Sequence, residues 1–298
     1  MIRRLLGVAL LLAGALAAVA YTTEPPRLLS WADRAYGGGS GVELVGEAIP
    51  FGTTGQTLDV WRPATSSPAP RPVIIFYYGG GWVHGDRGAY AFAARALAKV
   101  GFVVVVADYR KVPGVRFPAF VQDGAMAVKW VRDNVARYGG DPARVALSGH
   151  SAGAYIAAML ALDRRWLQAE GVDPAIVRAA VPMCGPYDFY PFTKRRSRDA
   201  MQGAADPQMT QPIHFARAGA PPLLLLSAGS DAQVGSHNAR NLTARLQALG
   251  APVTHIDYGE LSHENVVMAL SVPYRDKAPV LADTVAFLNR ALQVKPVR

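Results

Sequence analysis

The chain has 298 residues, 51% of them hydrophobic, enough to bury the core of one α/β domain, so no second domain is required. Its formal charge is +9, but the basic residues are scattered. The one dense cluster, Lys194, Arg195, Arg196 and Arg198, has Asp199 beside it and no interleaved aromatics, and reads as a solvated loop rather than a nucleic-acid surface. Cys184 is the only cysteine, which excludes an intramolecular disulfide and a thiolate metal cluster; in its apolar segment it reads as a buried structural thiol.

In chain order, Met1 to Ala20 carries Arg3 and Arg4, an apolar run from Leu5, and the ending Ala18-Val19-Ala20. That is the pattern of a secretory signal peptide cleaved after Ala20, with an uncleaved membrane anchor as the competing reading. The expected location is therefore periplasmic or secreted, and any membrane association would run through this segment. Residues 21–41, with Pro25, Pro26 and Gly37 to Gly39, read as an irregular lead-in, and residues 42–298 as the folded domain. Apolar positions on either side of the turn at Gly52 to Gly55 predict an antiparallel hairpin.

Beyond it, continuous apolar strands are expected at 73–77, 102–107, 145–147, 179–183, 222–228 and 253–258. Helical patterns are expected at 85–100, 118–138, 154–162, 236–249 and 278–292. Strands that are apolar throughout and alternate with helices predict a mostly parallel sheet covered on both faces. The segment Phe189 to Pro212 has no periodicity and is the place for a small cap or lid.

The stretch Gly149-His150-Ser151-Ala152-Gly153 lies between a strand and a helix and follows G-x-S-x-G, in which small residues let the turn pack while the serine is held strained and exposed. At the helix N-terminus the Ala152 N–H can face an oxyanion formed when Ser151 attacks a carbonyl. The run Gly79-Gly80-Gly81 after the strand at 73–77 allows backbone N–H groups to approach a ligand closely, or is only a flexible turn. Serine catalysis also needs a base and an acid at the same sheet edge. Asp231 and His263 each follow a strand, and the order Ser, Asp, His is that of the α/β-hydrolases. Asp188, which also follows a strand, competes with Asp231. His150 lies inside the turn and is expected to point elsewhere; Glu260 and Glu264 either tune His263 or face solvent.

Tyr78 to Trp82, Asp108-Tyr109-Arg110, Phe117-Pro118-Ala119 with Gln122-Asp123, Gly139 to Pro142, Gly149 to Gly153, Asp231 and His263 together resemble the carboxylesterases of the hormone-sensitive-lipase and feruloyl-esterase-like branch of the α/β-hydrolases, over about residues 43–292. The resemblance implies an α/β-hydrolase fold with a small lid, catalytic Ser151, Asp231 and His263, an oxyanion hole of Gly80, Gly81 and Ala152, and structural roles for Asp108 and Asp123. Tyr78 stands where that family usually has His. No metal or organic cofactor is implied, and the partner is a small-molecule ester. The lead-in around Trp31, the loop after Trp82 and the segment around Tyr187, Phe189, Tyr190 and Phe192 are expected to line the substrate pockets, their aromatics forming an apolar pocket or only packing the lid; Trp82 and Tyr187 are the candidate substrate contacts. An amide-cleaving serine hydrolase (an arylformamidase or small peptidase), a non-catalytic binding protein of the same fold and an acyl transferase are the rival readings. Acyl chain length and oligomeric state have no legible signal.

Overall fold

The computed structural model describes residues 23–294. The expected signal peptide lies outside them. Eight strands form one sheet: β1 (Val42–Phe51), β2 (Gln56–Pro63), β3 (Arg71–Tyr77), β4 (Val103–Ala107), β5 (Gly140–His150), β6 (Val177–Met183), β7 (Leu223–Ala228) and β8 (Val253–Tyr258). Their spatial order is β1-β2-β4-β3-β5-β6-β7-β8. Only the pairings of β2 with β1 and β4 are antiparallel; the others are parallel. This is the α/β-hydrolase sheet that the apolar strands predict.

The strands at the centre are β-branched and buried on both faces: Val73, Ile74, Ile75 and Phe76 of β3, and Val103 to Val106 of β4, have no accessible surface. Nine helices are described: α1 (Pro25–Asp33), α2 (Ala91–Lys99), α3 (Ala119–Asn134), α4 (Ala152–Leu162), α5 (Arg165–Ala169), α6 (Arg195–Met201), α7 (His237–Ala248), α8 (His263–Met268) and α9 (Val280–Ala291). α1, α2 and α9 meet on one face of the sheet, and α3 meets α4 on the other. The order of winding explains this. From β3 the chain moves outward to β4 through α2, then returns past β3 to β5 through α3 and continues the other way. Right-handed crossovers that run in opposite directions put their helices on opposite faces. The reversal leaves a crevice at the carboxyl ends of β3 and β5, the place where open α/β sheets take their ligands.

Three elements differ from the sequence reading. Residues 25–33, expected to be irregular, are the helix α1. Pro25 and Pro26 occupy its first turn, where a missing N–H costs nothing. The helix is held by a contact remote in sequence: the Arg95 guanidinium donates to buried Asp33 at 2.7 and 2.9 Å and to the Ser30 carbonyl at 2.7 Å. Asp33 also accepts the Val272 N–H at 2.8 Å. The helical pattern expected from residue 85 begins only at Ala91, after a turn through Gly85 and Gly88. The aperiodic stretch holds α6, the lid segment, and a 3-10 turn at Pro207–Thr210; a second turn, Pro212–Phe215, overlaps its end.

Candidate active site

Ser151 follows β5 and caps α4 with φ 55° and ψ −117°, a conformation that non-glycine residues rarely adopt. The flanking glycines are there for contact. A Cβ at Gly149 would stand 2.6 Å from the Tyr77 carbonyl oxygen, and one at Gly153 would run into the same atom. The turn is fixed by the Ser151 N–H, which donates to the Met183 carbonyl at 2.9 Å. The strained turn thus lifts the Ser151 hydroxyl out of the strand and aims it at the crevice.

The loops after β7 and β8 bring the remaining groups. The Ser151 Oγ–H lies 2.8 Å from His263 Nε2, and the His263 Nδ1–H donates to Asp231 Oδ2 at 2.7 Å. A carboxylate only accepts, so Nδ1 carries the proton and Nε2 is the free base. Asp231 Oδ1 is occupied separately, by the N–H groups of Gln233 and Val234 at 2.8 Å. Burial alone would raise the Asp231 carboxyl; the His263 N–H and these two backbone donors outweigh it and hold the group below its ordinary value. It therefore stays ionised and fixes the imidazole tautomer. His263 is also the first residue of the short helix α8, whose N-cap Ser262 accepts the Asn265 N–H at 3.4 Å. Asp188, the alternative acid, accepts instead from Asn241 at 2.7 Å.

Gly80 and Gly81 follow β3 with φ +132° and +60°. A side chain at Gly80 would collide with the His84 carbonyl. The Gly80 carbonyl accepts the N–H groups of Val83 and His84 at 3.1 and 3.0 Å, while the N–H groups of Gly80 and Gly81 reach no backbone acceptor among the described residues. Ala152 is the first residue of α4, where N–H groups have no partner within the helix. All three residues border the same cavity as Ser151 and His263. Tyr78, in place of the family's His, is fully buried and anchors this loop. Its hydroxyl donates to Asp108 at 2.9 Å, its ring stacks on Tyr109 with centroids 4.6 Å apart, and its carbonyl accepts the Tyr109 hydroxyl at 2.9 Å. Burial first, then Tyr109 and Asp108, push the Tyr78 hydroxyl far up, so it remains a donor. Asp108 also binds Arg87, and Asp123 binds the Arg110 N–H and guanidinium, tying loops below the site.

The cavity measures about 990 Å³. Trp82 borders it, packed against Phe120, Tyr155 and Phe189. The lead-in borders it through Pro25, Pro26 and Leu29 of α1, and the segment after β6 through Phe189 and Tyr190. Tyr187, an expected substrate contact, does not reach it: it is wholly buried, its hydroxyl accepting the Gly185 N–H at 3.2 Å. One residue differs from the sequence reading. His150 does not point elsewhere: it is buried with its ring centroid 4.8 Å from that of His263, its Nε2–H donates to the His263 carbonyl at 3.0 Å, and its Nδ1 faces the Tyr90 hydroxyl at 3.3 Å. The basic cluster is solvated, as expected, but it also lies at the site. Lys194, Arg195 and Arg196 border the cavity mouth, and Lys194 donates to the Ala232 carbonyl at 2.9 Å and to that of Gln233 at 2.5 Å, joining the lid to the Asp231 loop.

The BD-FAE family model matches residues 58–246, well over half of the chain, from β2 through α7. The chain belongs to the BD-FAE family. The match takes in Gly80, Gly81, Ser151 and Asp231 and ends before His263. Esterase LipQ of Mycobacterium tuberculosis is 34% identical over 259 residues, which cover 79% of this chain and 60% of LipQ. The isoprenylcysteine alpha-carbonyl methylesterase ICME of Arabidopsis thaliana is 25% identical over 232 residues, covering 71% of this chain and 54% of ICME. The chain thus spans little more than half the length of these curated relatives. Among solved structures, Thermogutta terrifontis esterase 2 phosphorylated by paraoxon superposes with a TM-score of 0.71 over 87% of this chain and 97% of that one, at 22% identity, and shares the α/β-hydrolase fold.

Proposed function

We propose that this BD-FAE family member is an exported serine carboxylesterase that works through an acyl-enzyme. The observation that carries the reading is the unbroken relay from Ser151 Oγ through His263 to an ionised, separately anchored Asp231. Ser151 Oγ attacks the ester carbonyl as His263 Nε2 takes its proton; Asp231 stabilises the imidazolium that forms. The N–H groups of Gly80, Gly81 and Ala152 receive the oxyanion, each worth about 3 kcal/mol of barrier. Collapse of the tetrahedral intermediate expels the alcohol, which takes the proton from His263. Water then repeats the sequence on the acyl-enzyme and frees the acid. The esterase names of LipQ and ICME support the ester class, and Arg3, Arg4 and the Ala18-Val19-Ala20 ending support export.

The test is hydrolysis of a chain-length series of 4-nitrophenyl esters by the protein from Tyr21 onward, beside Ser151→Ala. Turnover that the variant lowers by about five or more orders of magnitude supports the reading. Ester turnover that survives in Ser151→Ala, or none in either protein, refutes it. N-terminal sequencing of protein recovered outside the cytoplasm tests export: a start at Tyr21 is expected, and retention in the cytoplasm would overturn it.

A further inference from the structure

The charged groups around the cavity differ in whether a protein partner holds them; the cations at its mouth are all exposed to solvent. Three carboxylates border it, and each has partners: Asp231 has His263 and two backbone N–H groups, Asp188 has Asn241, and Glu264 accepts from Gln233. Of the three cations at the mouth, Lys194 is spent on two carbonyls, and Arg195 pairs with Asp199 at 3.5 Å on an outward-facing side chain. Arg196 is different. Among the described residues its guanidinium has no carboxylate partner and no hydrogen-bond acceptor, yet it lies directly over the oxyanion loop. A Cβ at Gly81 would stand 3.1 Å from Arg196 Cδ and 3.3 Å from one of its terminal nitrogens. Leu29, Phe92, Trp82, Val267 and Met268 give the lining apolar surface.

We infer that Arg196 is a specificity residue that selects esters carrying a carboxylate close to the scissile carbonyl, with the apolar lining holding the hydrocarbon between. This rests on the carboxylesterase reading and narrows it. An unpaired guanidinium offers a planar fork of donors that matches a carboxylate. A phosphate dianion is the poorer fit, because Asp188 and Glu264 also border the cavity with only neutral amide partners and repel a second negative charge. The cluster read from sequence as a solvated loop thus places one cation where a substrate can use it.

The experiment compares kcat/KM for 4-nitrophenyl hydrogen adipate with that for 4-nitrophenyl hexanoate, esters of equal carbon count that differ by one terminal carboxylate, with the Ser151→Ala protein as the blank for spontaneous release. Arg196→Gln is expected to lower the adipate-to-hexanoate ratio about 10-fold or more, mainly through KM for the adipate. Arg196→Lys should recover part of that ratio. Arg178→Gln removes the same charge from an exposed position on β6 and should leave the ratio as in the parent. A ratio unmoved by Arg196→Gln, or moved as far by Arg178→Gln, overturns the inference. If the parent turns over neither ester, the carboxylesterase reading fails on its own; calorimetric binding of adipate and hexanoate to the parent and Arg196→Gln then decides. Loss of an adipate preference in the variant supports the anionic site, and equal preference in both proteins refutes it.

Discussion

Replacing His150 with Gln gives a measurable change in acid stability. Burial, and then the charge of His263 beside it, lower the His150 imidazole from 6.5 to about 3, so the folded protein keeps this ring neutral. The unfolded chain protonates it near 6.5. Between those values the unfolded state binds one more proton than the native state, and stability falls on acidification by about 1.4 kcal/mol per pH unit. From about pH 7 to about pH 4.5 the loss integrates to about 2.5 kcal/mol. That range stays above the 3.8 of an ordinary aspartate, so the depressed carboxyl of Asp231, whose contribution disappears only as pH drops through its native value, does not enter. A Gln amide can still donate to the His263 carbonyl but does not titrate. Urea unfolding of parent and His150→Gln across this range should show the parent losing about 2.5 kcal/mol more than the variant, whatever their difference at neutral pH. Parallel stability curves would refute the claim that the buried ring is held neutral.

Other expectations concern single groups. Asp231→Asn keeps the contacts of the acid but permits the wrong tautomer of His263, and should lower kcat about ten-thousand-fold with KM little changed; a loss under tenfold would count against the relay. Removing one member of the buried Asp33–Arg95 pair, by Arg95→Met, strands a carboxylate of 1% exposure and should cost about 3–5 kcal/mol by urea unfolding, with an effect below 1 kcal/mol refuting its anchoring role. Tyr78→Phe deletes the donor to Asp108, which keeps Arg87 and Thr57, so the expected cost is only about 1–2 kcal/mol, with a fall in kcat as the oxyanion loop loosens. Gly153→Ala forces a methyl into the Tyr77 carbonyl and should abolish ester turnover even in protein that folds.

What was legible in the sequence was whatever short-range chemistry enforces. Continuous β-branched runs permit little besides buried strands, and the glycines around Ser151 mark a turn that only a strand-to-helix junction requires. Ser151, Asp231 and His263 were legible because each follows such a run. What escaped was set by partners distant along the chain. α1 has a weak local pattern and owes its place to Arg95, more than sixty residues away. Tyr187 follows a strand in an aromatic-rich segment, yet its ring turns into the core while Phe189 and Tyr190 border the cavity, and neither pattern nor composition says which way a ring turns. His150 lies inside the turn, and a position in a turn does not say that its ring packs under the His263 loop, as it does here. Arg196 was grouped with three other cations, and only the partners of Lys194, Arg195 and Arg198 separate it from them.

The winding reversal between β3 and β5 also governs when the molecule becomes competent. Ser151 and its oxyanion loop sit on neighbouring central strands, but the base is supplied from beyond β8, at the far edge of the sheet and 112 positions later in the chain. A ribosome or a translocation channel that releases this polypeptide from its N-terminus therefore delivers the nucleophile long before the group that deprotonates it. On the proposed mechanism every intermediate lacking the last strand is silent, whatever structure it has acquired, and contacts of such long sequence separation form slowly. Regain of ester turnover after dilution from denaturant should accordingly lag behind the burial of tryptophan, timing the docking of one peripheral strand rather than the collapse of the core.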